Sequence, residues 1–236
     1  MTLMHRALVL LAVGLATTSA LAQAPQGKLY TPGPFDQIDV DGAARVTLTQ
    51  GDRDQVFIHG DAAMQTSADV VLVGKRLRID PAGGWKFWNN AKVQVDVQMR
   101  DVSRITLSGA TDLHAPGPIK SDRLALRISG AGSARFDALD AGQLRFDISG
   151  AGNGQLAGRV DELGVRVSGK GKLAAEELRA AHANVSISGV GNASLWVTDK
   201  LQVNISGVGN VEYWGQPEVI RSTSGLGSVE GRGDKH

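Results

Sequence analysis

Four histidines lie beyond residue 22, His59, His114, His182 and His236, and none is within four residues of another. Paired metal ligands on one element need closer spacing, so these positions predict no metal site. The chain has no cysteine, which removes thiolate chemistry, and no Gly-x-Ser-x-Gly turn to expose a serine nucleophile. Its glycine-rich elements lack the Gly-Lys-Ser/Thr ending and following helix that make a phosphate loop, and they lack the aspartate of calcium-binding repeats. No cofactor is expected. Two carboxylates, Asp137 and Glu176, each lie eight residues past the serine of a Ser-Gly pair, the kind of repeated placement that could set up acid–base hydrolysis of a glycan. Ala157 holds the equivalent position between them. Aromatic side chains offer different chemistry, stacking on a sugar ring or an apolar partner. Trp196 and Trp214 recur at that same offset, and Trp85, Phe87 and Trp88 crowd the glycine-flanked segment 83–90. These five residues are the candidate ligand contacts.

Asp137, Glu176, Trp196 and Trp214 sit within a repeat. Ser-Gly recurs at Ser108, Ser129, Ser149, Ser168, Ser188, Ser206 and Ser224, at spacings of 21, 20, 19, 20, 18 and 18 residues. Before each serine the chain alternates apolar and polar, as in Leu144, Phe146 and Ile148 or Leu201, Val203 and Ile205. That period of two is a strand with one face buried. A second alternation follows each turn, with Ala134 and Phe136, or Val211 and Tyr213, on the apolar face. Glycines at this density exclude a helical repeat. Units of about 20 residues that keep like chemistry at like positions predict stacked coils of a parallel solenoid, with glycine at corners where stacked backbones leave no room for a Cβ. In that register Arg127, Asp147 and Arg166 form an outward column, and Asn153, Asn192 and Asn210 fall just past the corners. Trp196 and Trp214 come to lie on adjacent rungs.

Four segments follow from this. Residues 1–22 have a basic start, an apolar run from Ala7 to about Ala16, and small residues at Ala20 and Ala22, which together predict a secretory signal. Residues 23–100 are β-rich without the Ser-Gly element and predict an N-terminal cap, continuing the superhelix or packed on it as a small sandwich. Residues 101–230 are the β-helical repeat, whose inward pattern fails at Arg221 and Thr223. Residues 231–236 predict a disordered tail, and the Arg232-Gly233-Asp234 match to an integrin tripeptide is too short to carry weight. The chain beyond residue 22 has about 24 basic and 24 acidic side chains, a balance that disfavours nucleic acid and anionic membrane surfaces. The apolar run is too short to span a bilayer, so no membrane span is expected after cleavage.

Phe35-Asp36-Gln37-Ile38-Asp39-Val40, Val46-Thr47-Leu48-Thr49-Gln50-Gly51-Asp52, Leu77-Arg78-Ile79 and the tandem Ser-Gly-Ala-Gly elements resemble the DUF2807 family, whose label is an auto-transporter adhesin head domain. The resemblance covers about residues 30 to 230; Thr111, where later repeats carry glycine, departs from it. It implies a bacterial envelope or secreted protein with a right-handed β-helical fold. The expectation is therefore an all-β, right-handed parallel β-helix with a β-rich N-terminal cap, exported to the periplasm, the cell surface or the medium. It would be non-catalytic and adhesin-like, binding a glycan or envelope protein, with a homo-oligomer possible. The alternatives are a carbohydrate-active enzyme on the same scaffold and a structural, oligomerising envelope component.

Overall fold

The computed structural model describes residues 26–60, 68–82 and 92–235, and every regular element in them is a strand. In chain order these are β1 (Gly27–Tyr30), β2 (Gln37–Val40), β3 (Ala44–Gln50), β4 (Gln55–His59), β5 (Ala68–Val73), β6 (Arg76–Pro81), β7 (Val93–Met99) and β8 (Arg104–Leu107). The long strands β9 (Asp112–Ile128), β10 (Ala131–Ile148), β11 (Ala151–Val167), β12 (Lys170–Ile187) and β13 (Val190–Ile205) follow, then β14 (Val208–Trp214), β15 (Glu218–Thr223) and β16 (Leu226–Gly231).

Each long strand is one coil of a parallel β-helix bent into three sides. In β10 the first side buries Ala134 and Phe136, the short second side buries Leu139 and Ala141, and the third buries Leu144, Phe146 and Ile148. The second side lies in what reads in sequence as a variable connection. A bulge at Phe136/Leu139 breaks the alternation there, so the period of two is lost although the side is buried. Successive coils pair in register, with Ile148 between Ile128 and Val167.

The corners decide why the repeat is written as it is. A Cβ built on Gly130, Gly169, Gly189, Gly207 or Gly225 would lie 2.0 Å from the carbonyl oxygen of the corner glycine one coil below. No flexible side chain is involved, so nothing there can yield. The column starts earlier than the Ser-Gly motif does, because Gly109 stacks on Gly42 with its Cβ position 2.4 Å from the Gly42 oxygen. Asp41-Gly42 is thus the first corner, and Thr111, which departs from the repeat, is fully buried with its hydroxyl 3.1 Å from the Gly42 carbonyl oxygen.

The N-terminal region is built into the same stack, but in an order the chain does not follow. Strands β2 and β3 form a coil on which β8 and β9 lie in parallel. On the opposite side of that coil lie β6 and β7, also parallel to it, so later residues sit beneath earlier ones. Antiparallel strands then close the open edge, with β4 on β7, β1 on β4 and β5 on β6. Reversing strand direction stops the stack from adding further parallel coils. Where β3 ends, the Gln50 side chain supplies a rung by itself: its amide accepts from the Lys120 N–H at 2.7 Å and donates to the Lys120 carbonyl at 3.0 Å.

At the other end β15 pairs with β13, matching Arg221 to Val203 and Thr223 to Ile205, so backbone pairing persists where the inward apolar pattern has failed. Residues 231–235 differ from the disorder expected of them. The Arg232 N–H donates to the Tyr213 carbonyl at 2.8 Å, and the Gly215 N–H donates to the Gly233 carbonyl at 2.9 Å. The tail thus carries main-chain pairing past the end of β16, to Tyr213 and Gly215.

Candidate functional site

Trp196 and Trp214 are direct register partners on β13 and β14, as the spacing predicts, and both are half-buried. They are not in one column with Glu176. Between the pairs Ala175–Leu195 and Arg179–Trp196 the β12 strand carries Glu176, Glu177 and Leu178 as an extra loop of chain, so Trp196 stands beside Arg179. The 18-residue coils lack that insertion, which is why counting from the serine misplaces it.

The tail reaches this aromatic pair. The Lys235 ammonium lies 5.3 Å from the Trp196 ring centroid, donates to Glu177 Oε1 at 2.7 Å, and bonds the Glu176 carbonyl. A cation over an indole face is attracted by the ring quadrupole, here with a carboxylate completing its shell. Arg232 pairs with Glu212 and Glu230, and Gln216 donates to the Asp234 carboxylate at 3.0 Å. Deleting residues 232–236 should therefore raise acrylamide quenching of tryptophan fluorescence, and the rise should vanish in a Trp196→Phe background. Unchanged quenching would show that the tail does not cover the ring.

Trp85, Phe87 and Trp88 fall outside the described residues. The carboxylates are not brought together: Asp137 and Glu176 lie on β10 and β12 with β11 between them. Hydrogen bonds from His114 and then Arg135 hold the Asp137 carboxyl below the usual aspartate range. That direction favours the carboxylate, whereas the proton donor of a glycosidase has its pKa raised. Glu176 has one oxygen, Oε2, buried without a hydrogen-bond partner. Among the described residues no three His, Cys, Asp or Glu side chains cluster to hold a metal. The predicted outward column is in register, Arg127 to Asp147 to Arg166, but Asp147 bonds Arg145 on its own strand at 2.9 Å. Of the asparagines just past the corners, Asn192 Oδ1 accepts from the Asn210 N–H and Asn210 Oδ1 from the Ser228 hydroxyl.

One feature of the third side has no motif to announce it. Its outward column runs Ala125, Arg145, Gly164, Asn184 and Gln202, and an open hollow of about 600 Å³ lies over the face that includes Gly164.

The sequence of residues 34–217 matches the family model described as "Putative auto-transporter adhesin, head GIN domain". The chain belongs to the DUF2807 family. Solved structures similar to this DUF2807 member include a "putative adhesin" from Bacteroides fragilis, with TM-score 0.84 and 22% identity over 89% of this chain and 98% of that one. Another, titled a "putative lipid binding protein", is from Parabacteroides distasonis, with TM-score 0.70 and 21% identity over 89% and 97%. A third, a "putative adhesin" from Parabacteroides merdae, has TM-score 0.68 and 22% identity over 89% and 97%. Identities this low speak for the fold. Among curated proteins nothing matches the chain.

Proposed function

We propose that this DUF2807 protein is a non-catalytic, exported binding protein, adhesin-like in that it presents rigid outer faces to a glycan or an envelope protein. The observation that carries the reading is the register of the outer columns. Main-chain pairing holds side chains on neighbouring coils in fixed relation, Trp196 to Trp214 among them, so a ligand meets a surface ordered in advance. The family's description and the names borne by similar structures support it. The residues before the described region carry the signal pattern that export needs. Among the described residues no helix is long and apolar enough to cross a membrane. The test is a glycan array and a set of immobilised envelope polymers, probed with wild type and with Trp196→Ala/Trp214→Ala. Loss of two stacking rings, at about 1 kcal/mol each, should weaken binding about tenfold or more. Equal binding would take the tryptophans out of the account.

An end-to-end assembling envelope component is favoured by a separate observation. Strands β15 and β16 are the last of the stack and expose Ile220 and Leu226, at 45% and 76%. Open edges of this kind are templates for further strands. Light scattering that shows only monomer at high concentration would remove this second reading.

A further inference from the structure

Gly164 has no structural reason to be glycine. The corner glycines are forced by the carbonyl oxygens beneath them, and Gly154 by Phe146, whose Cζ lies 2.6 Å from its Cβ position. A Cβ on Gly164 would instead meet nothing nearer than the Leu144 carbonyl oxygen at 3.9 Å, an ordinary contact, and its φ is not in the left-handed region. It lies mid-strand on β11, in unbroken register with Arg145 on one side and Asn184 on the other, so no bulge requires it. Glycine inside a strand gives up backbone entropy and packing. Where neither bend nor crowding demands it, close approach by a ligand remains as its use.

The hollow over this face is open to solvent, about 600 Å³ in volume, and polar and charged side chains stand around it. Four of the surrounding groups are already paired: Arg145 with Asp147, and Gln143 with Glu162, each at 2.9 Å. Others at the rim, Arg166, His182, Asn184, Lys200 and Gln202, make no hydrogen bond or ion pair to another side chain among the described residues. Their unused donors surround a floor of bare backbone. Asp147 is neutralised by Arg145, Glu162 is bonded only to the Gln143 amide, and the cations Arg145, Arg166 and Lys200 outnumber these two carboxylates around the hollow, so the balance favours a negative ligand. Amides beside them suit hydroxyl groups, and a guanidinium suits a planar carboxylate.

We infer that the hollow over Gly164 is a saccharide site for a carboxylated sugar, with the ring on the Gly164 backbone, its carboxylate toward Arg166 and its hydroxyls toward Asn184 and Gln202. This deepens the adhesin-like reading and rests on it. Titration calorimetry of the full chain with galacturonate, glucuronate and mannuronate trimers, and with the neutral galactose trimer, tests it. At least one uronate trimer should bind wild type, more tightly at low salt than at high salt, and at least tenfold more tightly than the neutral trimer. Gly164→Val should weaken that binding at least tenfold while raising the melting temperature by about 1 to 3 °C, because strand propensity is gained. Arg166→Gln should lower affinity for the acid toward that for the neutral sugar. Absence of uronate binding by wild type, or unchanged binding by Gly164→Val, overturns the site. Array binding that survives Gly164→Val and is lost in Trp196→Ala/Trp214→Ala would overturn this hollow and leave the adhesin-like reading standing.

Discussion

Gly169→Ala is expected to leave the coil array unfolded. The added methyl carbon would lie 2.0 Å from the Gly150 carbonyl oxygen and 2.7 Å from that of Ser149. Both atoms belong to the main chain of the coil below, whose own N–H and C=O groups are committed to the ladder, so relief requires parting two coils. The Lys170 N–H bond to the Gly150 carbonyl, 2.8 Å long, would go with it. We expect a cost of about 4 kcal/mol or more, a large share of the stability of a domain this size. Far-UV circular dichroism and urea titration would show it as loss of the β-sheet signal at temperatures where wild type is folded. Two glycines nearby calibrate the result. Gly171→Ala meets the Ile148 Cδ1 atom at 2.8 Å, the end of a flexible side chain, and should cost about 1 to 3 kcal/mol. Gly164→Ala should not destabilise at all. A Gly169→Ala protein that melted within a few degrees of wild type would mean that the corners do not stack carbonyl on glycine.

The second large effect lies in the core. Phe146 is fully buried and occupies the space that Gly154, on the next coil, leaves open. Phe146→Ala removes most of a ring from a site whose walls are ladder-bound and cannot collapse, at about 3 to 5 kcal/mol. Gly154→Ala destabilises from the opposite direction, since its methyl would meet the Phe146 ring at 2.6 Å and Leu173 Cδ1 at 2.9 Å. The two positions share one volume, so they should couple. Gly154→Ala combined with Phe146→Leu is expected to be more stable than the sum of the single changes by about 1 kcal/mol or more. Additive losses in urea titration would show that the ring and the glycine do not contact.

How much of this was legible in sequence depends on whether the relevant partner lies one repeat away. Ile128, Ile148 and Val167 stack because each coil repeats the last, and Trp196 meets Trp214 for the same reason. Glu176 shows the limit of the rule. An inserted bulge shifts it out of the tryptophan column, and nothing in the count from Ser168 marks where the extra residues are absorbed. The N-terminal region shows a deeper one. That β6 and β7 lie beneath β2 and β3, and β8 above, is a choice among strands of similar pattern. The hollow at Gly164 was invisible for a related reason, because a glycine in a chain with 30 of them acquires meaning only from what surrounds it.

Strand period, coil length and glycine corners are written along the chain, since alternation and repeat spacing are local records of which face is buried. The stacking order at the N-terminus, the short second side, the strap formed by the tail and the open space over Gly164 emerge only when the coils are assembled. Those depend on which of several equally suited surfaces finally meet, a matter of summed long-range contacts that no single stretch of chain contains.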